Sequence, residues 1–314
     1  MEQRYVGRSG LSVSRLGLGT MTWGRDTDPD EAGAQLRTFV EAGGTLVDTA
    51  DVYTGGDAER LLGQLLRDAV PRSEIVVSTK AVVTPSGRRQ RDASRRHLLA
   101  AADASLARLG VDYVDLWQLH TYDAEVPLEE TLAAVDAIVD SGRAVYAGVC
   151  DYAGWQLAAA ATAQRAVPGR TPITSAQVEY SLLAREVERE VLPAAEHVGA
   201  GVLAWSPLGR GVLTGKYRTG IPADSRAATP HFVDFVRPYL DERSRRVVES
   251  VMTAADGLGR SPLAVALSWV RDQPGVSSAI VGARTHAQLA AILQAEDLEL
   301  PREIREALDD VSSF

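Results

Sequence analysis

Four side chains in the first 120 residues form a set able to move a proton to or from an oxygen: Asp48, Tyr53, Lys80 and His120. A phenol titrates near ~10, too high for an efficient acid at neutral pH. A nearby ammonium favours the phenolate and lowers that value. Lys80 supplies this charge if Asp48 pairs with it and fixes its position. His120 can orient a carbonyl oxygen and shape its hydrogen bonds. Such a set suits carbonyl reduction, in which hydride reaches carbon while a proton reaches oxygen. No side chain carries a hydride, so the chemistry requires a nicotinamide. Taken singly, each residue has a plainer explanation. A charged strand end meets solvent, a tyrosine lies at an interface, and a histidine is hydrogen-bonded for structure. The weight of the set lies in its order along the strands.

Short β-type runs alternate with longer amphipathic or Ala-rich runs. The pattern predicts strands at 15–20, 45–49, 75–80, 114–119, 145–149, 175–179, 201–204 and 278–281. Helices are predicted at 29–41, 58–68, 93–109, 128–140, 155–165, 186–198, 244–258, 262–272 and 285–294. Eight strand–helix units of this kind predict the α/β class and a (β/α)8 TIM barrel. Gly43-Gly44, Gly110, Ser141-Gly142, Gly199 and Pro274-Gly275 punctuate the units. Residues 2–13 read as an N-terminal hairpin around Arg8-Ser9-Gly10 that closes the barrel bottom. No linker or composition shift divides the chain, so 1–314 is expected to be one barrel domain. Residues 208–242 form the longest irregular stretch, and a loop of that length is usually functional. Reactive groups in such barrels sit at the C-terminal strand ends. Asp48 ends the second predicted strand, Tyr53 lies just beyond it, Lys80 ends the third and His120 the fourth.

Composition narrows the function classes. The 314 residues are 45% hydrophobic and 24% charged, a globular balance. The single Cys150 excludes internal disulfides and points to a reducing compartment. One Cys and five scattered His give no zinc pattern, so no metal is expected. A net charge of -9 argues against a nucleic-acid partner. No apolar run approaches a membrane span, and the start MEQRYVGRSG has no signal-peptide core, so a cytoplasmic location is expected.

The motifs go further. Gly17-Leu18-Gly19-Thr20, the Asp48–Tyr53 segment, Lys80 and His120 are followed by Gln177-Val178-Glu179-Tyr180-Ser181-Leu182-Leu183 and Trp205-Ser206-Pro207-Leu208-Gly209. Then come Gly211-Val212-Leu213-Thr214-Gly215-Lys216-Tyr217, Val281-Gly282-Ala283-Arg284-Thr285 and Gln288-Leu289. In this order they resemble the aldo-keto reductase family over essentially the full length. The resemblance implies an α/β barrel, bound NADP(H), a small-molecule carbonyl substrate, and Asp48, Tyr53, Lys80 and His120 as the catalytic tetrad. It also implies cofactor contacts. Gly19, Thr20 and Met21 line the cofactor, Gln177 hydrogen-bonds the carboxamide and Trp205 stacks on the nicotinamide. Ser206, Pro207, Leu208 and Gly209 wrap the pyrophosphate, with Lys216 adding charge. Asp48, Cys150, Asp151, Gly282 and Gln288 complete the cofactor set, and Trp23 joins Tyr53 and His120 toward substrate. Arg284 precedes Thr285, a good N-cap, and arginine plus a helix N-terminus is a natural phosphate site. Arg226 matches a loop arginine that reaches the 2′-phosphate in related members. Two arginines there favour NADPH over NADH.

Two departures stand out. Cys150-Asp151 replace the family's common Ser-Asn, and a carboxylate at Asp151 cannot donate as an amide does. Ala291-Ile292 replace its usual Glu-Asn, so adenine contacts are expected to be weaker or differently made. Other motifs fail. Residues 17–22 lack the third glycine of the dinucleotide fingerprint, and residues 211–217 are one short of a P-loop. A barrel glycosidase built on Asp48, Asp51 and Glu179 leaves Lys80 and the Trp205-Ser206-Pro207 segment unexplained. A different class remains. Residues 220–226 and 177–183 also resemble the β subunits of voltage-gated potassium channels, which implies an NADP(H)-binding regulatory subunit or redox sensor with little turnover.

Overall fold

The computed structural model describes residues 1–85 and 89–313. A small antiparallel pair, β1 (Gln3–Tyr5) and β2 (Ser12–Ser14), comes first. The short apolar runs that follow are β3 (Leu16–Gly19), β4 (Leu46–Asp48), β5 (Val76–Ala81), β6 (Val114–Leu119), β7 (Ala144–Cys150), β8 (Ile173–Glu179), β9 (Gly201–Trp205) and β10 (Val276–Val281). All eight pair in parallel and close in the order β10-β3-β4-β5-β6-β7-β8-β9. Their residues are buried almost throughout, which is why they read as continuous apolar runs rather than alternating ones.

Around the barrel lie α1 (Pro29–Glu41), α2 (Asp57–Asp68), α3 (Arg95–Leu109), α4 (Leu128–Asp140), α5 (Gly154–Arg165), α6 (Val191–Val198), α7 (Val233–Val236), α8 (Glu242–Leu258), α9 (Pro262–Arg271), α10 (His286–Gln294) and α11 (Arg302–Ser312). Their ends carry the expected chemistry. Asp28 accepts from the Glu31 amide with Pro29 next to it, and Ser94, Asp241, Ser261 and Thr285 cap in the same way. Gly110, Gly199 and Gly259 end helices in the left-handed conformation. Among the described residues no helix is long and apolar enough to cross a membrane.

The N-terminal hairpin seals one end of the barrel. Val6, Leu11 and Val13 pack with Leu46, Leu116, Leu203 and Ile280 in a cluster of their own. The Arg8 amide donates to Gly199 O at 2.9 Å, and Ser277 Oγ to Tyr5 O at 3.0 Å, both at strand beginnings. Gly7 makes this docking possible. Its φ is +56°, and a Cβ there would stand 2.4 Å from Gly199 O. Gly7→Ala should therefore lower the stability of the folded protein by about 1–3 kcal/mol, read as a lower urea midpoint. An unchanged midpoint would show that the hairpin can lift off without cost.

Three segments differ from the sequence expectation. The run 186–198 is helical only as α6, after one 3-10 turn at Glu186–Glu188. Its first turn is held elsewhere. Glu188 accepts from the Tyr180 hydroxyl at 2.7 Å, and Glu190 accepts from the Trp155 amide at the start of α5. The stretch 208–242 holds 3-10 turns at Gly209–Thr214, Arg226–Ala228 and Arg237–Tyr239 as well as α7. Helix α11 was not predicted at all. It packs through Leu308, and Asp309 accepts from Trp269 Nε1 at 2.9 Å.

Candidate active site

Strands β4 and β5 place Asp48 and Lys80 side by side at the end of the barrel opposite the hairpin. Lys80 is fully buried. Its Nζ donates to Asp48 Oδ2 at 2.6 Å and to Thr49 O at 2.7 Å. The other carboxylate oxygen of Asp48 accepts from Ser78 Oγ at 3.0 Å and from Gln177 Nε2 at 2.9 Å. The chain of polar groups continues inward. Gln118 Nε2 donates to Ser78 Oγ at 3.0 Å, and Ser175 Oγ donates to Gln118 Oε1 at 3.1 Å. Burial alone would push the ammonium's pKa down, but the Asp48 carboxylate outweighs it, so the pKa of Lys80 is raised and the group stays charged.

Tyr53 opens a tight turn beyond β4, in which Thr54 has a φ of +52°. The Thr54 hydroxyl donates to Trp23 O at 3.0 Å and anchors that turn. Lys80 Nζ lies 5.0 Å from the Tyr53 ring centre, and the His120 ring meets Tyr53 edge-on at 6.0 Å. Burial pushes the phenol up to about 12, and the pull of Lys80 only partly offsets it. This corrects the expectation that Lys80 sets Tyr53 below its ordinary value: the charge acts in that direction, but desolvation is the larger effect. Tyr53 is therefore a protonated phenol at neutral pH. Burial, then Lys80, holds His120 down to about 3, so its imidazole is neutral. Its Nδ1 is buried with no partner among the described residues.

A cleft of about 460 Å³ opens above this floor. Asp48, Tyr53, His120, Cys150, Asp151, Gln177 and Trp205 line one end. Trp205, the last residue of β9, donates from Nε1 to Asp151 Oδ1 at 2.9 Å. Asp151 itself sits at φ +51°. Beyond Trp205 the chain turns sharply, with φ of +51° at Ser206, +54° at Gly209, +58° at Arg210 and +92° at Gly211. Ser206, Pro207, Leu208 and Gly211 form the middle of the cleft with Gly19, Met21 and Gly282. Lys216, Arg226, Arg284 and Gln288 stand at the far end.

That far end is unusual electrostatically. Burial, then Arg226 and Arg284, depress Lys216, and burial, then Arg284, depress Arg226. Among the described residues no carboxylate lies within ion-pair distance of these three cations. Arg284 instead donates to Asp224 O, while its amide donates to Gln288 Oε1 at 2.9 Å. The segment carrying Arg226 folds across to the loop after β3. His231 contacts Asp26 at 3.1 Å, and the Arg25 guanidinium lies 5.2 Å from the Phe232 ring centre.

Several sequence-predicted residues lie off the cleft wall. Trp23 is fully buried in the core, where its Nε1 donates to Gln35 Oε1 at 3.2 Å. It does not face the cleft as the substrate assignment requires, because the loop after β3 turns its ring inward against α1. Thr20 is buried and donates to Asp48 O at 3.1 Å, and Gly209 is buried behind the wall. Lys80 acts from behind Asp48. Away from the cleft, Tyr122 meets the rings of Tyr152 and Trp155 edge-on, at 5.3 and 5.7 Å. Residues not foreseen include Thr22, Arg210, Thr214, Phe235 and Leu263, while Ala291 and Ile292 form an apolar part of the far wall. Arg210 binds Glu179 through two bonds, at 2.7 and 2.6 Å, and its guanidinium lies 4.0 Å from the Phe235 ring centre. Arg210, Thr214 and Phe235 lie in the long loop, where no periodic signal marks them; Thr22 lies in the loop after β3 and Leu263 in α9. Asp51 was also unassigned. Burial, then Glu59, raises its carboxyl to about 7, and its Oδ1 has no partner among the described residues.

The profile describing the Aldo/keto reductase family matches residues 15–313. The chain belongs to this family. A relative described as "Probable voltage-gated potassium channel subunit beta" of Oryza sativa subsp. japonica is 38% identical over 317 residues, covering 100% of this chain and 96% of that protein. A protein of Arabidopsis thaliana with the same description is 37% identical over 302 residues, covering 95% and 92%. "Uncharacterized oxidoreductase YrpG" of Bacillus subtilis (strain 168) is 35% identical over 327 residues, covering 99% and 96%. As an aldo/keto reductase, the protein is an oxidoreductase by family. The NADP(H) implied by the sequence resemblance fits the donor set. Arg226 and Arg284 are half-buried beside Lys216, and their like charges depress Lys216 while Arg284 depresses Arg226; holding them together is costly, and a phosphate among them would relieve that cost.

Proposed function

We propose that this aldo/keto reductase uses NADPH to reduce an aldehyde or ketone to the alcohol, and runs the reverse oxidation with NADP+. One observation carries the reading: a protonated, half-buried Tyr53 beside charged Lys80 and neutral His120 floors a cleft whose far end gathers three cations that have no carboxylate partner among the described residues. The bound cofactor supplies or accepts hydride. Tyr53 gives the proton to the carbonyl oxygen, and the charge of Lys80 favours its loss. Asp48 fixes Lys80, and Ser78 and Gln177 fix Asp48. Neutral His120 orients the carbonyl oxygen without competing as an acid. Trp205 would support the nicotinamide with Gln177 and Cys150 bordering it, and Ser206, Pro207 and Leu208 would hold the pyrophosphate. The single buried Cys150 supports a reducing, cytoplasmic setting.

A screen of aldehydes, ketones, keto-sugars and quinones with NADPH and NADH, following cofactor absorbance, tests the reading. Turnover supports it. Cofactor binding with no turnover on any carbonyl favours the second reading, an NADP(H)-binding regulatory subunit, which rests on the description of the rice and Arabidopsis relatives.

Cofactor choice gives a separate expected result. Each charge-assisted contact from Arg226 or Arg284 to a 2′-phosphate contributes about 1.5–3 kcal/mol. NADPH should then bind about tenfold or more tightly than NADH. Arg284→Ala should mainly weaken NADPH, and the double variant with Arg226→Ala should nearly erase the preference. Quenching of tryptophan fluorescence on titration reads both constants. Selectivity retained by the double variant would remove the phosphate from this end of the cleft.

A further inference from the structure

Three carboxylates stand at the Trp205 end of the cleft, and two are already neutralised. Asp48 is bound by Lys80 at 2.6 Å, and Glu179 by Arg210 at 2.7 and 2.6 Å. Asp151 is different. It lines the cleft, and its hydrogen bond from a side-chain N–H comes from the neutral indole of Trp205 at 2.9 Å. Among the described residues no lysine, arginine or histidine lies within ion-pair distance of it. The neighbouring Cys150 is a neutral thiol, its pKa pushed up by burial and then by Asp151. At the opposite end, Lys216, Arg226 and Arg284 are cations with no carboxylate partner among the described residues. Burial raises the Asp151 pKa, and the Trp205 N–H pulls it back down. In its ionised form Asp151 gives the Trp205 end of the cleft a negative charge with no ion-pair partner among the described residues, opposite the positive charge at the other end.

We propose that Asp151 makes the cleft discriminate between the two redox states of its cofactor, binding the oxidised nicotinamide more tightly than the reduced one. This rests on the cofactor reading above, with the nicotinamide over Trp205. Two physical effects act together. The oxidised ring carries a positive charge that the reduced ring lacks, so a nearby carboxylate attracts only the oxidised form. A carboxylate accepting from the indole N–H also makes the face of Trp205 more electron-rich, which strengthens its attraction for a cation lying on it. The positive end of the cleft treats the two states alike, because both carry the same phosphates.

The consequence for reaction follows from the balance. In reduction, one hydride passes from cofactor to carbon and one proton from Tyr53 to oxygen, leaving the oxidised cofactor and the alcohol. Stabilising the oxidised form on the protein makes the bound reduced cofactor a stronger hydride donor. It also makes the oxidised cofactor slower to leave. Asp151 acts in this as a positioning and specificity residue.

The test is the ratio of dissociation constants for NADP+ and NADPH, measured by tryptophan quenching and repeated by equilibrium dialysis. Wild type is compared with Asp151→Asn, which keeps an oxygen to accept from Trp205, and with Asp151→Ser. Both variants should shift the ratio about tenfold against NADP+, with NADPH little changed. A tenfold shift corresponds to about 30 mV in the two-electron potential of the bound cofactor. Because both constants come from the same folded sample, a partly unfolded variant loses capacity and not its ratio. Binding of both forms with an unchanged ratio overturns this inference alone. Failure of wild type to bind either nucleotide overturns the cofactor reading, and this inference with it.

Discussion

Tyr53→Phe is expected to lower carbonyl reduction by about 10²–10⁴-fold while leaving nucleotide affinity near wild type. The phenol combines a place on the cleft floor beside Lys80 with a proton held at neutral pH, since burial raises it to about 12. His120 is a neutral imidazole and Lys80 lies behind Asp48, so neither replaces the lost donor. The substitution removes one oxygen and keeps the ring, so the edge-on contact with His120 and the packing of the turn survive. The lesion should appear in kcat and in single-turnover hydride transfer, with little change in cofactor titration. Equal turnover by variant and wild type would remove Tyr53 from the reaction.

Lys80→Met should damage both stability and catalysis. Lys80 is fully buried and donates to Asp48 and Thr49 O. Removing it leaves Asp48 buried without its counter-charge, which costs about 3–5 kcal/mol. The sign with pH is set by the raised pKa of Lys80. Such a lysine stabilises the fold fully below its unfolded pKa, and the effect is lost only as pH climbs through the folded value. The deficit of the variant should therefore be level across neutral pH. Catalytically, the charge that pulls Tyr53 downward is gone, so alcohol oxidation should need more alkaline conditions. Adding Asp48→Asn removes the stranded carboxylate. The double variant should recover much of the lost urea midpoint but none of the activity. A Lys80→Met protein with normal stability and an unshifted pH–rate profile would reduce Lys80 to a bystander.

The barrel was legible because its signals are local. Pro29 beside Asp28, Gly110 after Leu109 and the apolar runs between them fix element ends, and α1, β6 and α4 match the predicted bounds. The four catalytic candidates were legible because strand ends of a parallel barrel point to one mouth. Long-range contacts were less so. Trp23 lies in a loop where no period tells inside from outside, and its burial depends on Gln35 of α1. The split of 186–198 depends on Glu188 and Glu190 being drawn to Tyr180 and to the start of α5. Helix α11 did leave a signal, Ile304 and Leu308 four apart after Pro301, which a continued scan for helical periodicity would have found. The net rise in the Tyr53 pKa needed the enclosure itself, which composition and spacing do not contain.

The polar chain beneath the floor has one more consequence. Ser175 of β8, Gln118 of β6, Ser78 of β5 and Asp48 of β4 are linked hand to hand, with Gln177 of β8 returning to Asp48. Side chains alternate along a strand, so a slip of one residue would swing any of these groups from the lumen to the helical jacket. The links made by that strand would then break together, and a slip of β4 or β5 would part Asp48 from Lys80. The same bonds that aim the proton donor thus act as teeth that admit one meshing of the staves. A mutation that loosens Ser78 or Gln118, neither of which lines the cleft, would blur both the shape of the barrel and the aim of its chemistry.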